Sequence, residues 1–255
     1  LWTSDGTTTG TLMLKDIQLG AGDSSPANLT AVDGTLYFTA NDGIHGIELW
    51  TSDGTASGTV LVKDIYPGAP DASPSGLANV NGTLLFSAND GATGRELWKS
   101  RSTTATTAQV QNIAAGAGDS DPASFTTAGT KVFFSANDDT AGDELWAIPI
   151  AALNYAPSAS NLTVGTSLNT PVSGTLPATD PEGSPLTFSI VTNGTKGVVS
   201  ITNATTGAFT YMPNAGASGG DSFSFKVSDG QADSNVAIVN ITIGGSAIYL
   251  PLIRR

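Results

Sequence analysis

Four tryptophans stand at positions 2, 50, 98 and 146, so the chain repeats with a step of 48 residues and no insertion. Around them recurs one wording: Leu1-Trp2-Thr3-Ser4-Asp5-Gly6-Thr7, then Glu48-Leu49-Trp50-Thr51-Ser52-Asp53-Gly54-Thr55, then Glu96-Leu97-Trp98 and Glu144-Leu145-Trp146. A fixed period in this range marks a stacked or radial repeat array, in which each unit buries its apolar face against the next. The residues between the tryptophans keep the same phase. Thr11-Leu12-Met13-Leu14-Lys15-Asp16-Ile17 falls on Thr59-Val60-Leu61-Val62-Lys63-Asp64-Ile65 and loosely on Thr107-Ala108-Gln109-Val110-Gln111-Asn112-Ile113; Phe38, Phe86 and Phe134 coincide, as do Pro26, Pro74 and Pro122.

Each unit reads as four short strands, roughly 11–17, 28–32, 35–40 and 46–51 in the first. Thr35-Leu36-Tyr37-Phe38-Thr39-Ala40 alternates as a strand should, Asp33-Gly34 is a two-residue hairpin signal, and Asn41-Asp42-Gly43 supplies the next turn. Ser, Thr, Gly and Ala dominate and charged residues make up only 13%, which favours β structure over long helices. The expected class is therefore all-β, with propeller-type four-stranded repeats over residues 1–146. ELWxSDGT followed by a GTxLVKDI strand resembles the bacterial ELWxxDGT repeat family, which implies propeller-like blades and export, and brings no established reaction with it. Lys99-Ser100-Arg101-Ser102 departs from that pattern, so the third unit is expected to keep its strands and lose the turn's own hydrogen bonds.

Three repeats and one orphan strand do not close a propeller of about four to eight blades. Further repeats upstream of Leu1, an open array paired with a neighbouring chain, or subunits that complete each other would all resolve the count. The chain opens on Leu1 in mid-motif, which points to a removed leader or to earlier sequence.

Residues 147–157, with two prolines and no period, read as a short stiff linker. From 158 to 245 the pattern becomes that of one sandwich, with candidate strands at Ser160–Val164, Thr170–Leu176, Leu186–Val191, Gly197–Thr202, Ala208–Met212, Asp221–Val227 and Val236–Ile243. Ala178-Thr179-Asp180-Pro181-Glu182-Gly183, Phe209-Thr210-Tyr211-Met212-Pro213-Asn214 and Asp221-Ser222-Phe223-Ser224-Phe225 resemble the bacterial Ig-like and cadherin-like modules of surface proteins. That resemblance implies a spacer or adhesive unit. Residues 246–255 form an apolar tail; burying its four large side chains would contribute on the order of 6–12 kcal/mol before entropy is counted. It is expected to dock, either on its own sandwich or in a groove or sheet edge of the next subunit.

With ten basic residues and a net charge of −12, the chain offers no footprint for nucleic acid, and no apolar run is long enough to span a bilayer. There is no cysteine, hence no disulfide, thiolate metal site or cysteine nucleophile. The single histidine, His45, sits where the other repeats carry Thr93 and Ala141, and reads as a loop tip rather than a catalytic base or zinc ligand. Asp16 and Asp64, Asp23, Asp71 and Asp119, Asp42, Asp90 and Asp138, and Glu48, Glu96 and Glu144 recur in phase. They read as turn-closing groups, with the glutamates paired to Lys15 or Lys63 across strands, ahead of calcium ligands. In the sandwich Asp180, Glu182 and Asp229 have a slightly better claim to calcium, which the resemblance implies because some related modules hold it at one end. The tryptophans read as packing between units ahead of sugar-stacking platforms. Asn28, Asn81, Asn161, Asn193, Asn203 and Asn240 are glycosylation acceptors by sequence.

The sequence thus points to a non-enzymatic, exported structural protein of the bacterial surface, a self-assembling fibre subunit joined by strand complementation. Leu1 and Trp2 at an open edge, and Ile248, Tyr249, Leu250, Leu252 and Ile253 in the tail, are the expected assembly residues. Two alternatives stay open: an adhesin that binds calcium or glycans, and the accessory C-terminal region of a larger secreted enzyme.

Overall fold

The structure is a computed structural model that describes residues 1–244; the tail residues Ile248, Tyr249, Leu250, Leu252 and Ile253 lie outside the described residues. The chain is all-β and divides into two compact units, Leu1–Leu153 and Asn154 onward.

The first unit opens with a small hairpin, β1 (Trp2–Thr3) and β2 (Leu12–Met13), with Trp2 opposite Met13. Next comes a four-stranded meander, β3 (Ala27–Val32), β4 (Thr35–Asn41), β5 (Ile47–Ser52) and β6 (Val60–Lys63), then a second, β7 (Ser75–Val80), β8 (Thr83–Asn89), β9 (Arg95–Ser100) and β10 (Ala108–Gln111). The third sheet has three strands, β11 (Ala123–Ala128), β12 (Lys131–Asn137) and β13 (Asp143–Pro149), followed by a 3-10 turn at Ile150–Leu153. Asp33 and Gly34 join β3 to β4 with φ of 47° and 81°, the left-handed pair that a tight hairpin requires.

One sequence expectation is corrected. The 11–17 type of strand does not open a unit but closes the sheet before it: Val60 pairs with Thr51, and Leu61 with Trp50. The SDGT loop is the reason, because it folds the chain straight back along the strand that carries the tryptophan.

Strand alternation sets the packing between sheets. Along β4, Phe38 and Ala40 enter a core with Ile17 and Trp50, on the hairpin's side. Tyr37 faces the other way and shares a core with Leu49 and with Leu84, Phe86, Ala88 and Trp98 of the second sheet. The second sheet's Leu85 and Leu97 meet Val132, Phe134 and Ala136 of the third. Phe38, Phe86 and Phe134 are fully buried, and each stabilises the stack by about 1.5–3 kcal/mol.

The second unit holds β14 (Ser158–Ala159), β15 (Leu162–Ser167), β16 (Val172–Thr175), β17 (Ala178–Thr179), β18 (Thr187–Thr192), β19 (Gly197–Asn203), β20 (Ala208–Pro213), β21 (Gly219–Ser228) and β22 (Ala237–Gly244). One sheet runs β15-β22-β21-β18, with β15 parallel to β22; the other runs β16-β20-β19, and β14 pairs with β17. Phe223, Phe225 and Val227, alternating along β21, join Val239, Ile241 and Ile243 of β22 and Phe209 and Tyr211 of β20 in one core. The short β14–β17 pair has no counterpart among the strands expected from the sequence.

Candidate functional site

The recurring motif is the natural place to seek chemistry, and its Ser, Asp and Thr groups are spent on one another, while the buried Trp50 and Trp98 Nε1 atoms have no partner among the described residues. Ser52 Oγ meets Thr59 Oγ1 at 2.8 Å and accepts from Gly54 N at 3.1 Å. Asp53 Oδ1 accepts from the Thr55 amide at 2.8 Å and its hydroxyl at 2.7 Å, while Thr59 Oγ1 donates back to Thr55 O at 2.7 Å. The Thr55 hydroxyl, then its amide, hold the Asp53 carboxyl below its ordinary range. A Cβ on Gly58 would collide with that carboxylate, which explains the glycine. Ser4, Asp5, Thr7 and Thr11 repeat the same bonds.

The third unit keeps more of this loop than its sequence suggests. Ser100 Oγ still meets Thr107 Oγ1 at 2.8 Å, and Thr107 Oγ1 still donates to Thr103 O at 2.7 Å. Thr103 and Thr106 hydroxyls pair at 2.7 Å where the aspartate would have served. Hydroxyls can replace a carboxylate here because the loop needs acceptors rather than charge.

Glu48 is fully buried, and its two carboxylate oxygens accept from the Ile65 amide at 3.0 Å and the Tyr66 amide at 3.1 Å. Burial pushes its pKa up to about 7, with the two amides pulling the other way. Glu96, equally buried, accepts from Ile113 N at 2.7 Å, Ala114 N at 3.1 Å and Ser120 Oγ at 2.6 Å; burial raises it as well. Each glutamate thus staples the segment that follows its own fourth strand. The expected pairing with lysine is corrected accordingly: Lys15 Nζ donates to Thr59 O at 2.6 Å and Lys63 Nζ to Thr107 O at 3.0 Å, one repeat onward. Lys63 Nζ also lies 5.4 Å from the Trp98 ring centre. Asp71 and Asp119 tie sheets together, accepting from Ile47 N and Arg95 N at 2.6 Å each.

The turn acids behave alike. Asp42 Oδ1 accepts from Ile44 N at 2.9 Å and His45 N at 2.8 Å, and its Oδ2 holds His45 Nδ1 at 2.7 Å. That hydrogen bond, opposed by burial, raises the His45 pKa. Asp90 and Asp138 close the equivalent turns through the amides of Ala92 and Thr93, and of Thr140 and Ala141. Trp50 and Trp98 are only 6% and 5% exposed, whereas Trp2 is 66% exposed and Leu1 is half-buried. Leu145, the counterpart of the fully buried Leu49 and Leu97, is 75% exposed, and Glu144 is exposed beside it.

In the sandwich, Asp180 Oδ1 accepts from Glu182 N at 2.9 Å and Ser184 N at 2.8 Å. Glu182 Oε2 accepts from Tyr155 N at 3.4 Å, and Asp229 accepts from Asn154 Nδ2 at 2.8 Å and from the amides of Gln231 and Ala232. Among the described residues no three His, Cys, Asp or Glu side chains come together as metal ligands would. All six asparagines of the acceptor sequons are exposed. Asn28, with φ of 55°, uses its amide on Pro74 O at 3.3 Å, and Asn203 closes a turn through Thr205.

Sequence reasoning missed the Tyr211–Asp221 pair. The Tyr211 hydroxyl donates to Asp221 Oδ2 at 2.6 Å, and Thr195 N and Lys196 N donate to the same carboxylate at 3.0 Å each. Burial alone would raise Asp221, yet the hydroxyl and the amides together bring it down to about 2. Phe209-Thr210-Tyr211 followed by Asp221 held the clue, since a tyrosine among core residues needs a partner for its hydroxyl.

A family model described as Bacterial Ig domain matches residues 154–242, so the second unit is Ig-like. No curated protein matches the chain. Among solved structures, an endo-fucoidan hydrolase from glycoside hydrolase family 107 is similar at 20% identity and a TM-score of 0.30, over 50% of this chain and 23% of that one. Domains 4 and 5 of the S-layer protein SbsC are similar at 12% identity and 0.24, over 44% and 65%. A SusE-like surface located polysaccharide binding protein from the Bacteroides thetaiotaomicron heparin utilisation locus is similar at 10% and 0.27, over 89% and 50%. The chain spans less than two thirds of the length of each, and likenesses at these TM-scores carry no argument about function.

Proposed function

We propose that this chain is a structural component of the bacterial exterior: a propeller-type array of ELWxxDGT blades followed by an Ig-like module, self-associating into a fibre. Its work is mechanical rather than catalytic. The first two sheets support this, because the Ser52, Asp53 and Thr55 side chains hold their own loop while Glu48 and Glu96 hold the segments that follow β6 and β10. Among the described residues no helix is long and apolar enough to cross a membrane.

The observation that carries the reading is the edge of the third sheet. Strands β5 and β9 are each paired on both sides, whereas among the described residues their counterpart β13 pairs only with β12. Its outer row of amides and carbonyls invites another strand. We take residues 247–253 of a neighbouring copy as that strand. Deleting residues 246–255 should leave both units folded and abolish fibres seen by negative-stain electron microscopy; fibres from the truncated chain would refute strand donation by the tail.

A second reading, calcium binding by the Ig-like module, has one observation in its favour: Asp180 Oδ2 is buried with no hydrogen-bond partner among the described residues. It predicts a rise in melting temperature with millimolar calcium that the Asp180→Asn variant lacks.

A further inference from the structure

We propose that Glu48 and Asp64 share one proton beside the core that joins the first and second sheets, so that this joint tightens in acid and loosens above neutral pH. The inference does not depend on self-association.

Two neighbouring repeats build the same glutamate site from different partners. In the second meander Glu96 is fully buried and accepts from Ile113 N, Ala114 N and the Ser120 hydroxyl. Asn112 completes it: with its amide turned so that the nitrogen faces acceptors, it donates to Ala114 O and, at 3.3 Å, to Glu96 Oε1. In the first meander the same places, 48 residues earlier, hold Glu48, Ile65, Tyr66, Ala72 and Asp64. The two backbone amides are kept, at 3.0 and 3.1 Å, but Ala72 has no hydroxyl and Asp64 has no N–H to give. Asp64 Oδ2 accepts from Gly68 N at 3.0 Å, while its Oδ1 is buried with no partner among the described residues. By the repeat, that oxygen takes the place of the Asn112 nitrogen, whose counterpart neighbours are Tyr66 O and Glu48 Oε1.

A buried oxygen among acceptors needs a hydrogen to bridge them. A proton on Glu48 supplies it, and the carboxyl group then donates to Asp64 Oδ1 as the Asn112 amide donates to Glu96. Burial pushes Glu48 up to about 7, and the Asp64 charge adds to the rise against the pull of the amides. The other charged groups nearby are engaged elsewhere. His45, in the turn before β5, is held by Asp42 at 2.7 Å, and Asp71 accepts from Ile47 N at 2.6 Å. Lys15 and Lys63 donate to Thr59 O and Thr107 O.

The pair sits where it can act on the fold. Glu48 holds Ile65 and Tyr66, and both pack in the core shared with Leu84, Phe86 and Trp98 of the second sheet. Without the proton, two carboxylates repel each other beside that core and weaken the hold on this segment. Folding raises the affinity of Glu48 for its proton, so the stabilisation is fully present below the ordinary 4.5 and is lost as pH rises through about 7.

The test is thermal unfolding of the full chain between pH 5 and pH 8. Tryptophan fluorescence reports the first unit alone, because all four tryptophans lie there. Every variant carries His45→Thr, the residue type that the second repeat has at that place, so that histidine titration drops out. The His45→Thr chain should lose about 3 °C or more in melting temperature across that range. Adding Asp64→Asn, which restores the amide of the second repeat, should remove at least half of that loss and raise the melting temperature at pH 8. The converse change, Asn112→Asp, should add a second loss of the same sign; if that variant fails to fold, the Asp64→Asn comparison decides by itself. Equal losses with and without Asp64→Asn would overturn the shared proton and leave burial of Glu48 as the whole cause. Millimolar calcium that restores the melting temperature at pH 8 only when Asp64 is present would put a cation in the proton's place and overturn it as well.

Discussion

The second and third sheets carry nearly the same words and treat them differently. In the second, Glu96 and Leu97 are fully buried, the glutamate stapling Ile113 and Ala114 and the leucine packed against Val132 and Phe134. In the third, Glu144 and Leu145 are exposed. The letters are the same; the surroundings are not. A glutamate becomes a staple only when a fourth strand and its following segment exist to offer amides. A leucine becomes core only when another sheet lies over it. The motif is thus half of a joint, and its energy is realised only with the other half in place.

The contrast can be broken most sharply with leucine. Leu97→Ala should destabilise the first unit by about 2–5 kcal/mol, and Leu145→Ala by less than about 0.5 kcal/mol, as read by urea unfolding of dilute protein. Equal costs would end the comparison. The glutamates come next. Glu96→Ala strands two buried amides and the Ser120 hydroxyl, for an expected loss of about 1–3 kcal/mol, while Glu144→Ala should be nearly neutral.

Acidity sharpens the same point. The pKa of Glu48 rises from 4.5 to about 7 on folding, so its protonated form is favoured in the folded state. Its contribution is fully present below the unfolded value and is lost as pH rises through about 7. Wild-type stability should therefore fall between pH 5 and pH 8 relative to Glu48→Gln, by on the order of 1–3 kcal/mol. Parallel pH profiles would contradict it. The smallest effect belongs to the loop: Asp53→Ala removes the acceptor for Thr55 and should lower the melting temperature only slightly, as read by circular dichroism. Arg101, at the same place in the next repeat, donates to Gly82 O instead, so Arg101→Ala should leave the Thr103–Thr106 loop bonds intact by amide chemical shifts.

Much of this architecture can be read from the letters. The 48-residue step, the Asp33-Gly34 hairpin and the alternation of Tyr37 and Phe38 are all visible in the sequence. Phase is not, because a periodic sequence can be cut anywhere, and only the bonds of the Ser52–Thr59 loop reveal that Val60–Lys63 returns to the sheet it came from. The partners of Glu48 and Lys15 were equally hidden. Both bond to backbone groups, which every residue carries and no letter marks, so a glutamate and a lysine were matched by charge alone. The Asp221 carboxylate is held by residues from two other segments, a convergence that spacing does not disclose.

The proposed function turns on the outer edge of β13, unpaired among the described residues, taking a strand from another copy. Hydrogen–deuterium exchange at Glu144–Trp146, followed as concentration rises, tests it most directly. The account predicts that these amides gain protection with concentration while those of Glu96–Trp98 are protected throughout. Exchange at Glu144–Trp146 that is fast and independent of concentration would contradict it.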